Sequence, residues 1–204
     1  MSKLYKPLVY ITVAHVIDHL IQSSNRSNIF QLGSFDFYKF IAWFLIPLSL
    51  SYKNNFKEYL KKPRRSDYFI TMAMIVVGVF AILIIPYIES LNSYYHSFTF
   101  QSDQQKFNYM KGQVIWTFSW LIGWEYIHRY YIITKTYPIL KNKLLWIIPL
   151  LEGFYHYNKP PIEFISVFIF SFILTLWTIK RKNILLPFII HLTIEIILIF
   201  SQVM

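Results

Sequence analysis

The sequence predicts an all-α, polytopic membrane protein, with about seven transmembrane helices packed as one bundle in a single domain over residues 1–204. Composition is the first ground: 55% of the residues are hydrophobic, 20% aromatic and only 15% charged, and the mean hydropathy is +0.40. The second is a succession of apolar runs near the length a bilayer demands, each bounded by a polar or charged cluster. The third is the alternation of basic residues between successive loops.

The start, "MSKLYKPLVYITVAHVIDHLIQ", is basic and then apolar, but it carries His15, Asp18 and His19 and leads to no small-residue cleavage site. It reads as a retained first span over roughly 4–22, not a signal peptide. Further spans are expected at roughly 38–52, 68–90, 113–134, 144–157, 161–179 and 184–203; the second and fifth are short and need little tilt to fit. The runs are too long for strands and lack two-residue alternation. The chain has no cysteine, which removes disulfides and thiolate metal sites from consideration. The outer loop 92–112, with His96, Tyr94, Tyr95, Phe98, Phe100 and Phe107, is placed to act as a lid or a peptide-docking surface.

The formal net charge of +10 is distributed by side. The N-terminal tail and every second loop hold 14 of the 20 Lys and Arg residues, among them Lys57, Lys61, Lys62, Arg64, Arg65, Lys180, Arg181 and Lys182. The opposite side holds five, Arg26, Lys39, Lys106, Lys111 and Lys159, and Arg129 falls within a span. This positive-inside pattern predicts a multi-pass cell-membrane protein with a cytoplasmic N-terminus and an extracytoplasmic C-terminus, its basic loops lying against membrane lipid. No aromatic-basic binding motif accompanies the charge, so nucleic acid is not expected as a partner.

Three spans carry polar pairs at one-turn spacing. "GWEYIHRYYI" holds Glu125 and Arg129, with His128 between them; "LLEGFYHY" holds Glu152 and His156; "FIIHLTIEI" holds His191 and Glu195. A charge at the centre of a spanning helix costs about 2.5–3.5 kcal/mol on insertion scales, so such groups pair, face the bundle interior and mark function. Glu125 and Arg129 lie on one helix face and are expected to neutralise each other. Burying all three pairs is most economical in one shared polar cavity, where carboxylates and imidazoles suit acid/base work.

In order and spacing these residues resemble the CAAX protease and bacteriocin-processing (CPBP, or Abi) family of intramembrane, metal-independent glutamic proteases. The family pattern is Glu-Glu-x-x-x-Arg in one helix, Phe-x-x-x-His in the next and His-x-x-x-Asn after a basic turn. Glu125 and Arg129 match the second Glu and the Arg, His156 the second motif and His191 the third, and "TIKRKNILLPFIIHLTIE" resembles the basic turn that leads into the last helix. The resemblance covers about residues 113–200. It implies cleavage of a peptide or protein substrate near the membrane by an activated water, with neither metal nor cofactor. Glu125 would be general base, helped by Glu152 or His156; Arg129 would orient it, and His191 would stabilise the oxyanion, with Glu195 orienting His191. It also implies a role in peptide maturation, bacteriocin processing or bacteriocin self-immunity. Three positions depart from the pattern: Trp124 stands at the first Glu, Glu152 at the Phe and Glu195 at the Asn. Glu152 is where it could supply the missing carboxylate.

Two other readings remain open on the same residues. A metal-oxygen enzyme could draw on His15, Asp18, His19, Glu125, His128, His156 and His191, since Glu-x-x-His occurs in helical di-metal sites. A non-catalytic membrane immunity or scaffold protein could keep the fold with the acid pair broken at Trp124.

Overall fold

The computed structural model describes residues 5–23, 31–51, 56–96 and 99–203, so Lys3, Arg26, Lys53 and Phe98 lie outside the described residues. It is all-α apart from one antiparallel hairpin of two-residue strands, β1 (Gln31–Leu32) and β2 (Phe35–Asp36).

Helix α1 (Lys6–Ser23) is followed by the hairpin and by a continuous helical stretch, Phe37–Ser51. That stretch begins as α2 (Phe37–Lys39), capped by the Asp36 carboxylate at 3.0 Å from the Lys39 amide, continues as a π-helical segment (Phe40–Leu45) and ends as α3 (Ile46–Ser51). Helix α4 (Arg65–Ile84) passes through a 3₁₀ turn (Ile85–Tyr87) into short α5 (Glu89–Tyr95). Helix α6 (Asp103–Glu125) runs without a break through a second π-helical segment (Tyr126–Tyr131) into α7 (Ile132–Leu140). A tight turn leads to α8 (Leu144–Tyr155), which forms a hairpin with α9 (Pro161–Arg181), and α10 (Leu185–Ser201) closes the chain against α4 and α6.

The observed helices follow the expected apolar runs, with two differences. α6 begins at Asp103, some ten residues ahead of the apolar run, because Ser102 caps it and an acidic residue opens its first turn. The expected loop 92–112 begins inside α5, a helix too short and too polar to register as a span.

Among the described residues, two helices, Arg65–Tyr87 and Pro161–Arg181, are long and apolar enough to cross a membrane, with mean hydropathies of 2.8 and 2.1. Several helices turn apolar stripes outward. Val9, Val13, Val16 and Leu20 mark one face of α1, and Ile162, Ile165, Ile169 and Ile173 one face of α9, all exposed at helical spacing. The packed interior is built around the second π-helical segment: Ile127, Tyr130, Ile132 and Ile133 meet Ile11 of α1 and Ile148 of α8. A second cluster joins Ala14, Ala42, Trp43 and Trp124, so the two π-helical segments lie beside each other under the site.

Candidate active site

The site begins with a backbone irregularity. Over Tyr126–Tyr131 the helix is π-helical, and Glu125, His128 and Arg129 are all buried, with exposures of 2%, 0% and 0%. A π segment lodges an extra residue in the turn and recurs at functional sites. The expected pairing of Arg129 with Glu125, four positions earlier, is present as a buried ion pair: Arg129 Nε lies 3.5 Å from Glu125 Oε2, with no hydrogen bond at either atom. The main partner is Glu152 of α8. Arg129 donates from Nη1 to Glu152 Oε1 at 2.5 Å and from Nη2 to Oε2 at 3.0 Å, and from Nη1 to Thr175 Oγ1 of α9 at 2.9 Å. The Trp124 indole donates to Glu152 Oε2 at 3.3 Å. Glu152 therefore closes a buried, fork-to-carboxylate pair that ties three helices together.

Glu125 also reaches α10. Its Oε1 lies 2.7 Å from His191 Nδ1, and the other ring nitrogen of His191, Nε2, lies 3.6 Å from Glu195 Oε1. An imidazole thus stands between two carboxylates from different helices. Glu152 and His156, one turn apart, do not meet through their side chains: His156 Nδ1–H donates to the Glu152 backbone carbonyl at 2.8 Å, which sets its tautomer and directs Nε2 toward Glu163 Oε1 at 3.8 Å.

His156, His191 and Glu195 line a cavity of about 340 Å³, whereas Glu125 and Glu152 stand behind its wall, each 2% exposed. Of the residues expected to face one cavity, His156, His191 and Glu195 line it, whereas Glu125 and Glu152 do not. Much of the remaining wall is aromatic, with Trp43, Trp116, Trp120, Trp124 and Tyr155. The indole N–H groups of Trp43 and Trp120 have no partner among the described residues.

The first-helix residues contribute a second polar group to this cavity. Asp18 accepts from the Tyr155 hydroxyl and from Gln22 Nε2 at 2.8 Å, and lies 3.8 Å from Lys39 Nζ, which also pairs with Asp36 at 3.4 Å. Lys39, counted from the sequence among the five cations on the less basic side, is 4% exposed and lies over the Trp116 ring. His15 stacks on Trp124, and His128 donates from Nδ1 to the Trp124 carbonyl at 2.9 Å. These contacts disperse the ligands that a metal site would need, and among the described residues no three His, Asp or Glu side chains come together in a way that could hold a metal.

Glu163 is the residue that sequence reasoning missed. It accepts from Lys159 Nζ at 2.5 Å and from the Tyr95 hydroxyl at 2.7 Å, anchoring α5 beside His156. Its spacing from Lys159 is the one-turn signal that also marks the other pairs, but at a helix start it is indistinguishable from a surface ion pair. Thr175 and Ser171, both on Arg129, could have been found as polar residues on one face of apolar α9.

The model of one protein family, type II CAAX prenyl endopeptidase Rce1-like, matches residues 73–197, more than half of the chain and every residue of the expected site. No curated protein and no solved structure matches the chain. The chain therefore belongs to the Rce1-like family of type II CAAX prenyl endopeptidases, which are membrane-embedded proteases.

Proposed function

We propose that the protein is a seven-span, glutamate-dependent intramembrane endopeptidase that cleaves membrane-associated peptides without a metal, and that it serves bacteriocin processing or self-immunity. The outward apolar stripes of α1 and α9 support placement in a membrane, and the bias of Lys and Arg between successive loops supports a multi-pass single domain with the N-terminus in the cytoplasm and the C-terminus outside. The observation that carries the chemistry is the Glu125–His191 hydrogen bond at the wall of a cavity shared with His156 and Glu195.

In this reading Glu125 acts as base through His191. With Nδ1–H donated to the Glu125 carboxylate, the imidazole presents the Nε2 lone pair to the cavity, as a carboxylate-oriented histidine does in other hydrolases. The attacking water would donate one hydrogen bond to that lone pair and another to the Glu195 carboxylate. As the water oxygen bonds to the peptide carbonyl carbon, its proton passes to His191 Nε2 and the carbonyl π pair moves to oxygen. The indole N–H of Trp120, whose ring centre lies 5.8 Å from that of His191, is available to the oxyanion. His191 then returns the proton to the departing nitrogen as the C–N bond breaks, and His156 steadies the amine. Arg129, held by Glu152, supplies a fixed positive charge behind Glu125.

The test is Glu125→Gln in reconstituted protein with a quenched fluorescent peptide. The substitution should lower kcat by about 10²–10⁴-fold at unchanged protein level, because Arg129 keeps Glu152 and no charge is stranded. Undiminished turnover in this variant ends the glutamate-dependent reading.

A second reading rests on Trp124. Its ring, 2% exposed, packs against His15, Trp43 and Tyr155 where the family pattern places an acid. Such a filled position suits a binding or immunity protein that has kept the fold and lost turnover. Protection of cells by Glu125→Gln at the wild-type level, with no peptide cleavage by either protein, selects this second reading.

A further inference from the structure

The basic loops are more than an orientation signal, because the fold joins two of them into one surface. Lys61 and Lys182 are 121 positions apart, yet the Lys61 amide donates to the Lys182 carbonyl at 3.3 Å and the Ile184 amide to the Tyr59 carbonyl at 3.1 Å. The Asn183 side chain, 2% exposed, donates from Nδ2 to the Lys61 carbonyl at 2.6 Å and accepts from the Leu186 amide at 3.0 Å, so it joins the loop and caps α10 at once. Asp67, also 2% exposed, accepts from the Arg64 amide at 2.8 Å and faces Arg181 Nε at 2.9 Å, fixing the end of α9 to the start of α4.

The resulting platform carries five cations between Lys57 and Arg65 and three at 180–182, against Glu58 and Asp67. Asp67 is taken by Arg181, and Glu58 lies 3.9 Å from Lys182. Lys61, Lys62, Arg64, Arg65 and Lys180 are exposed. Freely moving loops would carry such charge as a diffuse cloud. Here hydrogen bonds hold the backbone of both segments together, so the repulsion between like charges is already met by the fold, and the joined surface gathers cations suited to phosphate groups.

We propose that this platform is a docking site for the headgroups of anionic phospholipid, held at the end of the bundle where α9 turns into α10. The occupant is lipid, not a soluble phosphate, because the cations flank the ends of two long apolar helices, Arg65–Tyr87 and Pro161–Arg181, whose exposed side chains would lie among acyl chains of the same molecules. The inference does not depend on peptidase activity.

The experiment uses the full chain in nanodiscs, where both faces are accessible and insertion orientation has no effect. Discs of phosphatidylcholine alone are compared with discs containing phosphatidylglycerol, and the readouts are the thermal unfolding midpoint and the phosphatidylglycerol retained after detergent extraction. The wild type should unfold at a higher temperature in the anionic discs and retain the anionic lipid. The variant Lys61→Gln/Lys62→Gln/Lys182→Gln should lose that shift and retain roughly 100-fold less tightly bound lipid, at about fivefold per charge, while matching the wild type in phosphatidylcholine. Asn183→Ala, which keeps every charge and loosens the join, should also weaken retention. An equal midpoint for the wild type in both discs overturns the proposal. So does an equal shift on adding inorganic phosphate to phosphatidylcholine discs, which would assign the surface to a soluble anion.

Discussion

Arg129 is the most constrained side chain of the site: completely buried, it holds Glu152 with both terminal nitrogens, Thr175 with one of them, and Glu125 at longer range. Its energetics assign different consequences to the two acids. Glu152→Gln removes the charge that compensates a buried guanidinium, which typically costs 3–5 kcal/mol, so the variant should be depleted from the membrane. Glu152→Gln combined with Arg129→Met should recover much of the level, since no uncompensated charge remains. Quantitative immunoblotting of membrane fractions checks both, and a normal level of the single variant would show that Glu152 is not the structural partner of Arg129. At this scale the sequence is informative about residue types and their order along the chain, and Glu125, His156 and His191 follow from it directly. Four-residue spacing gives the Glu125–Arg129 ion pair, but it says nothing of the Glu152 carboxylate that Arg129 holds 23 positions away on α8, or of the π-helical turn after Glu125.

Between elements, the site depends on how closely the two π-helical segments approach. Gly123 sits at the crossing: a Cβ there would lie 2.8 Å from Trp43 Cβ and 3.0 Å from the Trp43 backbone carbonyl carbon. Backbone cannot swing aside as a long side chain can, so the helices would have to separate. Gly123→Val should destabilise the protein by about 1–3 kcal/mol, the usual cost of overpacking, and displace Trp43 and Trp124 from the cavity wall. A lower unfolding midpoint together with lost activity is the expected result, and wild-type values for both would rule out a tight crossing. Helix positions were readable from hydrophobic runs because each buries or exposes a continuous apolar surface. The α5 arm was not, since its place depends on one hydrogen bond from Tyr95 to Glu163, a contact between residues 68 positions apart that no local pattern encodes.

Across the whole molecule, the cavity and the basic platform lie at opposite ends of the bundle. The cavity takes its residues from the end of α1, the start of the Phe37–Ser51 stretch, the second half of α6, the end of α8 and the middle of α10. The platform takes the starts of α4 and α10 and the end of α9. The proposed orientation, with the basic side in the cytoplasm, predicts that the cavity opens outward. The absence of cysteine makes this directly measurable, because any introduced thiol is the sole target for a maleimide. Asn158→Cys, exposed at the cavity mouth, should be labelled by a membrane-impermeant maleimide in intact cells, and Lys62→Cys, exposed on the platform, only after the membrane is permeabilised. Labelling of Lys62→Cys alone in intact cells would invert the orientation and turn the cavity toward the cytoplasm. Labelling of both would place the two surfaces on one side and overturn the proposed seven-span arrangement, in which an odd number of crossings puts the start of the chain and the end of α10 on opposite sides of the membrane.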